Sequence, residues 1–241
     1  MAELSRRLRM NKATLYPMMT TLTEAGWLVR DPRGKTFRLG PELIALGEAA
    51  GKRLPAVQLV RPTMVELATE LGVTCAAFTA TDGIATLTDQ VWDVRSTVQP
   101  LRAGLWAPIQ APFGAVFAAW AGPAEIAAWA AGPDAEAHTA SLRAIRDRGY
   151  VVELRTPTGE LPATGSLLET LVPGHDFLAD GLDPASSYAV STIEAPVFDR
   201  SGAVAVGVVL VGLPRTLTGA EIGAVADRLR SATDRLTSTL R

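Results

Sequence analysis

Residues 5–40 read SRRLRMNKATLYPMMTTLTEAGWLVRDPRGKTFRLG, and this stretch decides the fold at the start of the chain. Asn11 can cap a helix, because its side chain accepts a hydrogen bond from an amide of the first turn. Apolar residues then recur at helical spacing from Lys12 to about Ala25, and Gly26 is typical of a helix C-terminus. Since a short amphipathic helix precedes Asn11, the pattern predicts a helix-turn-helix unit.

The second half of the same stretch predicts a β-hairpin. Asp31-Pro-Arg-Gly34 has proline in the second position of a turn and glycine in the fourth, and a short strand-like run lies on each side. A hairpin that follows a helix-turn-helix makes the unit a winged helix. Gly40 then closes the unit, and the pattern predicts a linking helix from Glu42 to about residue 54 that Pro55 ends.

Basic residues are concentrated at the N-terminal end of a chain whose net charge is only −2. Residues 1–40 contain eight Lys or Arg against three Asp or Glu, a net charge of +5. The remaining 201 residues contain fifteen basic and twenty-two acidic side chains, a net charge of −7. This asymmetry indicates a polyanion partner for the N-terminal unit alone, and a helix-turn-helix makes double-stranded DNA the expected partner.

The remainder of the chain predicts a mixed α+β domain. Two β-hairpins are expected, one over residues 73–91 and the other over residues 191–211. The strand at residues 203–211 is apolar on both faces, which indicates a central position in its sheet. Residues 155–187 have no clear period and predict a long loop, whereas residues 219–240 predict a final helix.

The stretch at residues 5–40 resembles the reading head of the IclR family of bacterial transcriptional regulators, and residues 35–43 resemble that family's wing and linker. Arg148-Gly-Tyr150 and Glu194-Ala-Pro-Val-Phe-Asp199 fall in the order of the family's effector domain. The resemblance implies an α+β chain with a winged helix-turn-helix at residues 1–40, a linker helix at 41–55 and a GAF-like effector domain, an antiparallel sheet flanked by helices, at 56–241. It also implies a homodimer or tetramer that binds palindromic operator DNA and a small-molecule effector.

The reading head departs from the family at two points. Family members usually carry another helix before the position of Met1, so we expect this head to lack part of its core. Pro17 stands where the family usually has arginine; it removes a helix hydrogen bond to Ala13 and one cation aimed at DNA, so the operator should differ from those of relatives. The residues expected to contact DNA lie in the early turns of the second helix and in the wing: Asn11, Lys12, Ala13, Thr14, Tyr16, Arg30, Arg33 and Lys35.

The resemblance also implies an effector pocket beside a buried helix that the sequence predicts at residues 113–121. Val209 and Val211 stand where the family holds a carboxylate with polar residues. Because a buried carboxylate without donors is costly, we expect a small, mostly apolar or aromatic effector. The residues expected to line the pocket are Phe78, Trp92, Trp106, Phe113, Gly114, Thr192, Val209 and Val211. The alternative is that Phe113 and the tryptophans fill the cavity and leave no sensor.

Nothing in the sequence indicates an enzyme, a metal site or a cofactor. The residues that catalysis or metal binding would need are scattered along the chain: His138, His175 and Cys75. The carboxylates in or near the long loop are expected to be solvated: Glu153, Glu160, Glu169 and Asp176. No apolar run is long enough to cross a bilayer and no signal peptide is visible, so we expect a cytoplasmic protein without membrane contact. The competing hypothesis is a ligand- or partner-binding protein whose DNA-reading head is degenerate.

Overall fold

The computed structural model describes residues 2–31, 33–34, 36–51, 55–101, 104–155 and 176–240. The chain divides into two compact units, Met1–Pro55 and Ala56–Arg241. Within the described residues, no helix combines the length and the apolar character that crossing a membrane requires.

The described part of the N-terminal unit contains three helices and one hairpin. Its elements are, in chain order, α1 (Ala2–Leu8), α2 (Lys12–Glu24), β1 (Leu28–Asp31), β2 (Thr36–Leu39) and α3 (Glu42–Gly51). The two strands pair antiparallel, with Leu28 opposite Leu39. Leu15 and Met19 of α2 are buried. The helix, turn, helix and hairpin that the sequence predicts are therefore present in that order.

Helix α2 begins and ends where the sequence predicts. The side chain of Asn11 accepts a hydrogen bond of 2.8 Å from the backbone N–H of Thr14, which caps the first turn. Ala25 caps the other end, and Gly26 follows with φ of +72°, a conformation that glycine adopts without steric cost. Pro17 lies inside this helix.

The expected end of the linking helix was wrong. Helix α3 ends at Gly51, residues 52–54 lie outside the described part of the chain, and Pro55 is the first residue of α4 (Pro55–Leu71). Proline suits the first turn of a helix because its missing N–H would have no partner there. At this position Pro55 begins a helix instead of ending one.

In the residues that the structure describes, the second unit is built on an antiparallel sheet of seven strands. In spatial order these are β5 (Trp106–Pro108), β4 (Ile84–Val91), β3 (Thr74–Thr81), β10 (Val204–Val211), β9 (Val190–Phe198), β6 (Val151–Arg155) and β7 (Asp176–Leu178). A separate pair joins β8 (Ser187–Tyr188) to β11 (Leu217–Thr218). The strand that is apolar on both faces, β10, lies in the middle of the sheet, as its sequence predicts.

Helices cover both faces of this sheet. The remaining helices are α5 (Ala115–Ala118), α6 (Pro123–Trp129), α7 (Ala135–Arg148) and α8 (Gly219–Leu240). Helix α8 packs against β9, and an ion pair of 2.6 Å between Arg228 and Glu70 joins it to α4. The short helix α5 lies over β9 and β10 and contributes Val116 and Phe117 to the main apolar core.

Most elements of the second unit match the sequence, with two exceptions. The expected helix at residues 113–121 is reduced to α5, because Gly114 takes a left-handed conformation just before it. The expected loop at residues 155–187 contains β7 and β8, while its residues 156–175 lie outside the described part. Strands this short carry too few residues to display an alternating pattern.

Candidate ligand cavity and DNA interface

A cavity lies between the sheet of the second unit and helix α5. Nine apolar and three polar residues line it among those described: Phe78, Ala85, Leu101, Phe113, Gly114, Val116, Phe117, Val209, Val211, Glu153, Thr192 and Glu194. The cavity has a volume of about 30 Å³, counted as the space open to the centre of a water molecule. One water needs roughly 10–15 Å³ by that measure. A ligand larger than a few water molecules therefore requires side chains of the wall to move.

Strand register places the polar residues beside the valines. Glu153 of β6 pairs with Thr192 of β9, and Thr192 pairs with Val211 of β10, so these three side chains lie in one row across the sheet. Glu194 pairs with Val209 in the next row. Since alternate residues of a strand point to the same face, both rows face the cavity.

Two glycines set how closely α5 approaches the sheet. A Cβ atom at Gly207 of β10 would lie 3.0 Å from Val116 Cγ1 and 3.2 Å from Phe117 Cζ, so the absence of a side chain lets the helix lie directly on the strand. Gly114 precedes α5 with φ of +76°, which favours glycine. Together they position Phe113, Val116 and Phe117 along the wall opposite the polar residues.

Half-buried residues mark the opening of the cavity, and their backbones are held in place. Leu101 and Phe113 are half-buried members of the wall. The indole N–H of Trp129 donates to the carbonyl of Phe113 (2.7 Å), while the side-chain amide of Gln90 donates to the carbonyl of Leu101 (2.5 Å) and accepts from its N–H (2.8 Å). Rotation of these two side chains about a fixed backbone is thus the simplest way to widen the cavity.

Two carboxyl groups and a hydroxyl form the polar corner of the cavity, which consists of Glu153, Thr192 and Glu194. Thr192 Oγ1 lies 3.0 Å from an oxygen of Glu194 and 3.2 Å from an oxygen of Glu153. A hydroxyl has one proton, so it donates to one carboxylate at a time. The second contact is a hydrogen bond only when that carboxyl group is itself protonated and donates to Oγ1. The geometry therefore favours a shared proton in the polar corner.

Burial of the Glu194 carboxyl group also favours its protonated form. Its residue is 6% exposed, and loss of water around the carboxylate raises the pKa of Glu194 from an ordinary value of 4.5 to about 7. The hydrogen bond from Thr192 lowers this pKa in part, because it stabilises the charged form. Near neutral pH the Glu194 side chain is consequently divided between its neutral and its charged forms.

The structure brings together six of the eight residues that the sequence places in the pocket. Phe78, Phe113, Gly114, Thr192, Val209 and Val211 line the cavity, whereas the two tryptophans do not. Trp92 is 40% exposed and donates its indole N–H to the carbonyl of Val98, and Trp106 is 54% exposed on the edge strand β5. Both lie near cavity residues in the sequence, but Trp106 pairs with Thr86 instead of the lining residue Ala85, and Trp92 follows the end of β4.

The two carboxylates of the polar corner were not among the residues that the sequence predicted for the cavity. Glu153 is only 2% exposed, so the expectation that it is solvated was wrong. A signal for Glu194 existed, because alternation along the predicted strand places it on the same face as Thr192. No such signal existed for Glu153, whose position depends on the pairing of β6 with β9. Glu160 and Glu169 lie outside the described residues, as does the side chain of Asp176.

Other residues with reactive side chains offer little chemistry. Cys75 is fully buried, and burial raises the pKa of its thiol far above the ordinary value, which keeps it protonated and unreactive. In the ranges that the structure describes, no three His, Cys, Asp or Glu side chains are grouped in a way that could hold a metal ion.

The first turns of α2 are exposed, as a DNA-reading helix requires. Asn11, Lys12, Ala13 and Thr14 all face solvent, and Tyr16 is 58% exposed. Pro17 is exposed too, one helical turn after Ala13 on the outward side of the helix. This face therefore presents small apolar groups and hydroxyls, with Lys12 as its cation.

The wing residues occupy different environments. Arg33 is exposed in the turn, where its backbone N–H donates to the side-chain carboxylate of Asp31 (2.9 Å). Arg30 pairs with Phe37 across the hairpin, and both line a hollow against α2 together with Tyr16. Arg30 thus faces the helix within the unit, and Lys35 lies outside the described residues.

Comparison with known proteins agrees with this architecture. The family model of the IclR helix-turn-helix domain matches residues 1–32. A search of curated proteins found no match to the sequence.

Solved structures of IclR proteins resemble the whole chain. An IclR homolog from Microbacterium hydrocarbonoxydans, complexed with 4-hydroxybenzoate, is 17% identical with a TM-score of 0.71 over 100% of this chain and 90% of that one. Pseudomonas aeruginosa HmgR is 22% identical with a TM-score of 0.68 (99% and 89%), and the Thermotoga maritima IclR is 19% identical with a TM-score of 0.67 (99% and 90%). At these identities the likeness establishes the fold. The chain therefore matches the IclR helix-turn-helix domain over residues 1–32 and has the fold of IclR proteins along its length.

Proposed function

We propose that this chain is a ligand-responsive transcriptional regulator that binds operator DNA and senses a small molecule in the cavity of its second unit. The observation that carries the proposal is the combination of two features in one chain. One is a helix-turn-helix whose second helix exposes its first turns, and the other is a separate domain with a mostly apolar cavity and one polar corner. A mostly apolar lining with a few placed polar groups is typical of small-molecule sites.

In this proposal, residues 1–40 read DNA, residues 41–55 link the domains, and residues 56–241 bind the effector. Helix α2 enters the major groove, where Lys12 and Arg33 neutralise phosphates and Thr14 contacts a base edge or phosphate. Ala13 and Pro17 present apolar surface, which suits contact with thymine methyl groups. Two such heads in a homodimer or tetramer would occupy the two halves of a palindromic operator.

The effector acts by shifting a conformational equilibrium. A ligand that binds one arrangement of the reading heads more tightly than another changes operator affinity by that difference in affinity. The similar structure that contains 4-hydroxybenzoate supports the proposal that the effector contains an aromatic ring. The nine apolar residues of the cavity are consistent with such a body.

The test is fluorescence anisotropy of the full chain on DNA from its own upstream intergenic region, titrated with salt. We expect tight, sequence-selective binding that weakens steeply as salt rises, because each neutralised phosphate releases counterions. Arg33→Ala should weaken binding equally on all sequences and reduce the slope of log K against log salt by about 0.9. Arg143→Ala, an exposed arginine of α7, is the matched control and should leave the slope unchanged.

Weak binding that is indifferent to sequence would refute the proposal. It would instead support a ligand- or partner-binding protein with a degenerate reading head.

A further inference from the structure

The polar corner of the cavity is acidic. Its three side chains share one face of the sheet, and Thr192 Oγ1 lies within hydrogen-bond distance of both Glu153 and Glu194. Two of the three are carboxyl groups, which accept hydrogen bonds when ionised. The rest of the described wall is apolar, so no Lys, Arg or His lines the cavity among the described residues.

We propose that the effector of this cavity carries a positively charged, hydrogen-bond-donating head group, an ammonium on an apolar or aromatic body, which is held between Glu153, Thr192 and Glu194. This inference rests on the proposed function, because it takes the cavity to be the effector site. It specifies the chemical class of ligand.

An ammonium fits the polar corner better than the alternatives do. Its three N–H groups can donate to both carboxylates and to the threonine oxygen at once, and charged hydrogen bonds of this kind are the strong ones. A carboxylate ligand would place a third acid beside two others in a cavity that excludes water, which is unfavourable. A purely apolar ligand would displace water from the polar corner without replacing its hydrogen bonds, which costs affinity.

The location of the charge within the wall also agrees with such a ligand. Val209 and Val211 extend from the polar corner along β10, and Phe78 and Phe117 complete the apolar side. An amine with an aromatic body would place its ring against these residues and its head against Glu194. Leu101 and Phe113, both half-buried, would rotate to admit it.

Amine binding should depend on pH through Glu194. Among the described lining residues, the other titratable group is Glu153 of β6, which pairs with Thr192 and is thus a diagonal neighbour of Glu194, and the lining residues of β3, β10 and α5 are apolar. An ammonium pairs with the ionised form of Glu194, whose pKa is about 7 in the free protein. The ionised fraction rises about tenfold between pH 6 and pH 8, so the affinity of a ligand that stays protonated should rise about tenfold as well.

The experiment uses three probes that share one ring and differ in head group: benzylamine, benzyl alcohol and benzoate. Isothermal titration calorimetry on the full chain should give the tightest binding for benzylamine, weaker binding for benzyl alcohol and the weakest for benzoate. Glu194→Gln and Glu153→Gln should each reduce benzylamine affinity by at least tenfold and narrow its difference from benzyl alcohol. Glu136→Gln, an exposed carboxyl of α7, is the control and should leave all three affinities unchanged.

Three results would overturn the inference: benzoate as the tightest ligand, equal binding of the three head groups, or no saturable binding of benzylamine. The wild-type series alone decides this point, even if a variant fails to fold. Operator binding is measured separately. If the chain binds DNA selectively but binds benzoate most tightly, the inference about the head group is refuted and the proposed function stands.

Discussion

Replacing Glu194 by glutamine should remove a pH-dependent loss of stability. In the folded chain the pKa of Glu194 is about 7, whereas an unfolded chain would have the ordinary value of 4.5. Between these values the folded protein holds a proton that the unfolded chain releases. The free energy of unfolding therefore falls as pH rises through this window, and the stability is fully present only below about pH 4.5.

The size of this effect follows from the two pKa values. One pKa unit corresponds to 1.36 kcal/mol, so the difference between 4.5 and about 7 corresponds to about 3 kcal/mol, most of which falls between pH 5 and pH 8. Glutamine has nearly the same shape and can still accept the hydrogen bond from Thr192, but it cannot ionise. Glu194→Gln should thus be more stable than the wild type at pH 8, with the difference shrinking towards pH 5.

Urea unfolding from pH 5 to pH 8 measures the effect, and tryptophan fluorescence reports it. Four of the five tryptophans lie in the second unit, so the signal follows the domain that contains the cavity. The quantity to compare is the free energy of unfolding of the variant minus that of the wild type, because groups common to both cancel. Glu136→Gln is the control and should follow the wild-type curve at every pH. If the free energy of unfolding of Glu194→Gln changes with pH in parallel with that of the wild type, Glu194 is not a buried group with a raised pKa.

Three further substitutions test the fold. Pro17→Ala restores a helix hydrogen bond at an exposed site, so it should stabilise α2 by up to about 3 kcal/mol; unchanged hydrogen exchange of the α2 amides would contradict this. Asn11→Ala should destabilise the same helix by about 1 kcal/mol while Asn11→Asp does not, and equal exchange rates in both variants would refute the cap. Gly207→Val pushes a side chain into α5, which lies within about 3.0 Å of any Cβ there, so it should destabilise the second unit by roughly 1–3 kcal/mol; an unchanged urea midpoint would rule out the close approach.

Local patterns predicted most of the fold. The cap at Asn11, the hairpin over residues 73–91, whose turn has positive φ at Asp82 and Gly83, and the central position of β10 each depend on neighbours in the sequence. The reading helix is predictable for the same reason, because its exposed and buried residues follow one helical period. What the sequence could not supply is the pairing of strands that lie far apart in the chain.

The cavity illustrates that limit. Its apolar residues could be predicted from the family resemblance, but its chemistry depends on Glu153, which reaches Thr192 only because β6 pairs with β9. The two tryptophans were misplaced for the converse reason. Trp92 and Trp106 are close in sequence to cavity residues, yet their side chains follow strand and loop directions that turn outwards. A pocket is defined by which side chains share a face, and long-range register decides that.

The coupling between cavity and DNA is the central claim, and operator affinity with and without a bound cavity ligand tests it most directly. The assay is anisotropy on upstream DNA in the absence of benzylamine and at a concentration that calorimetry shows to be saturating. We expect the affinity for operator DNA to change about 5- to 150-fold, the usual range of coupling between two sites. Bound DNA should change benzylamine affinity by the same factor, because such coupling is reciprocal. An operator affinity that stays the same with the cavity occupied would contradict the account.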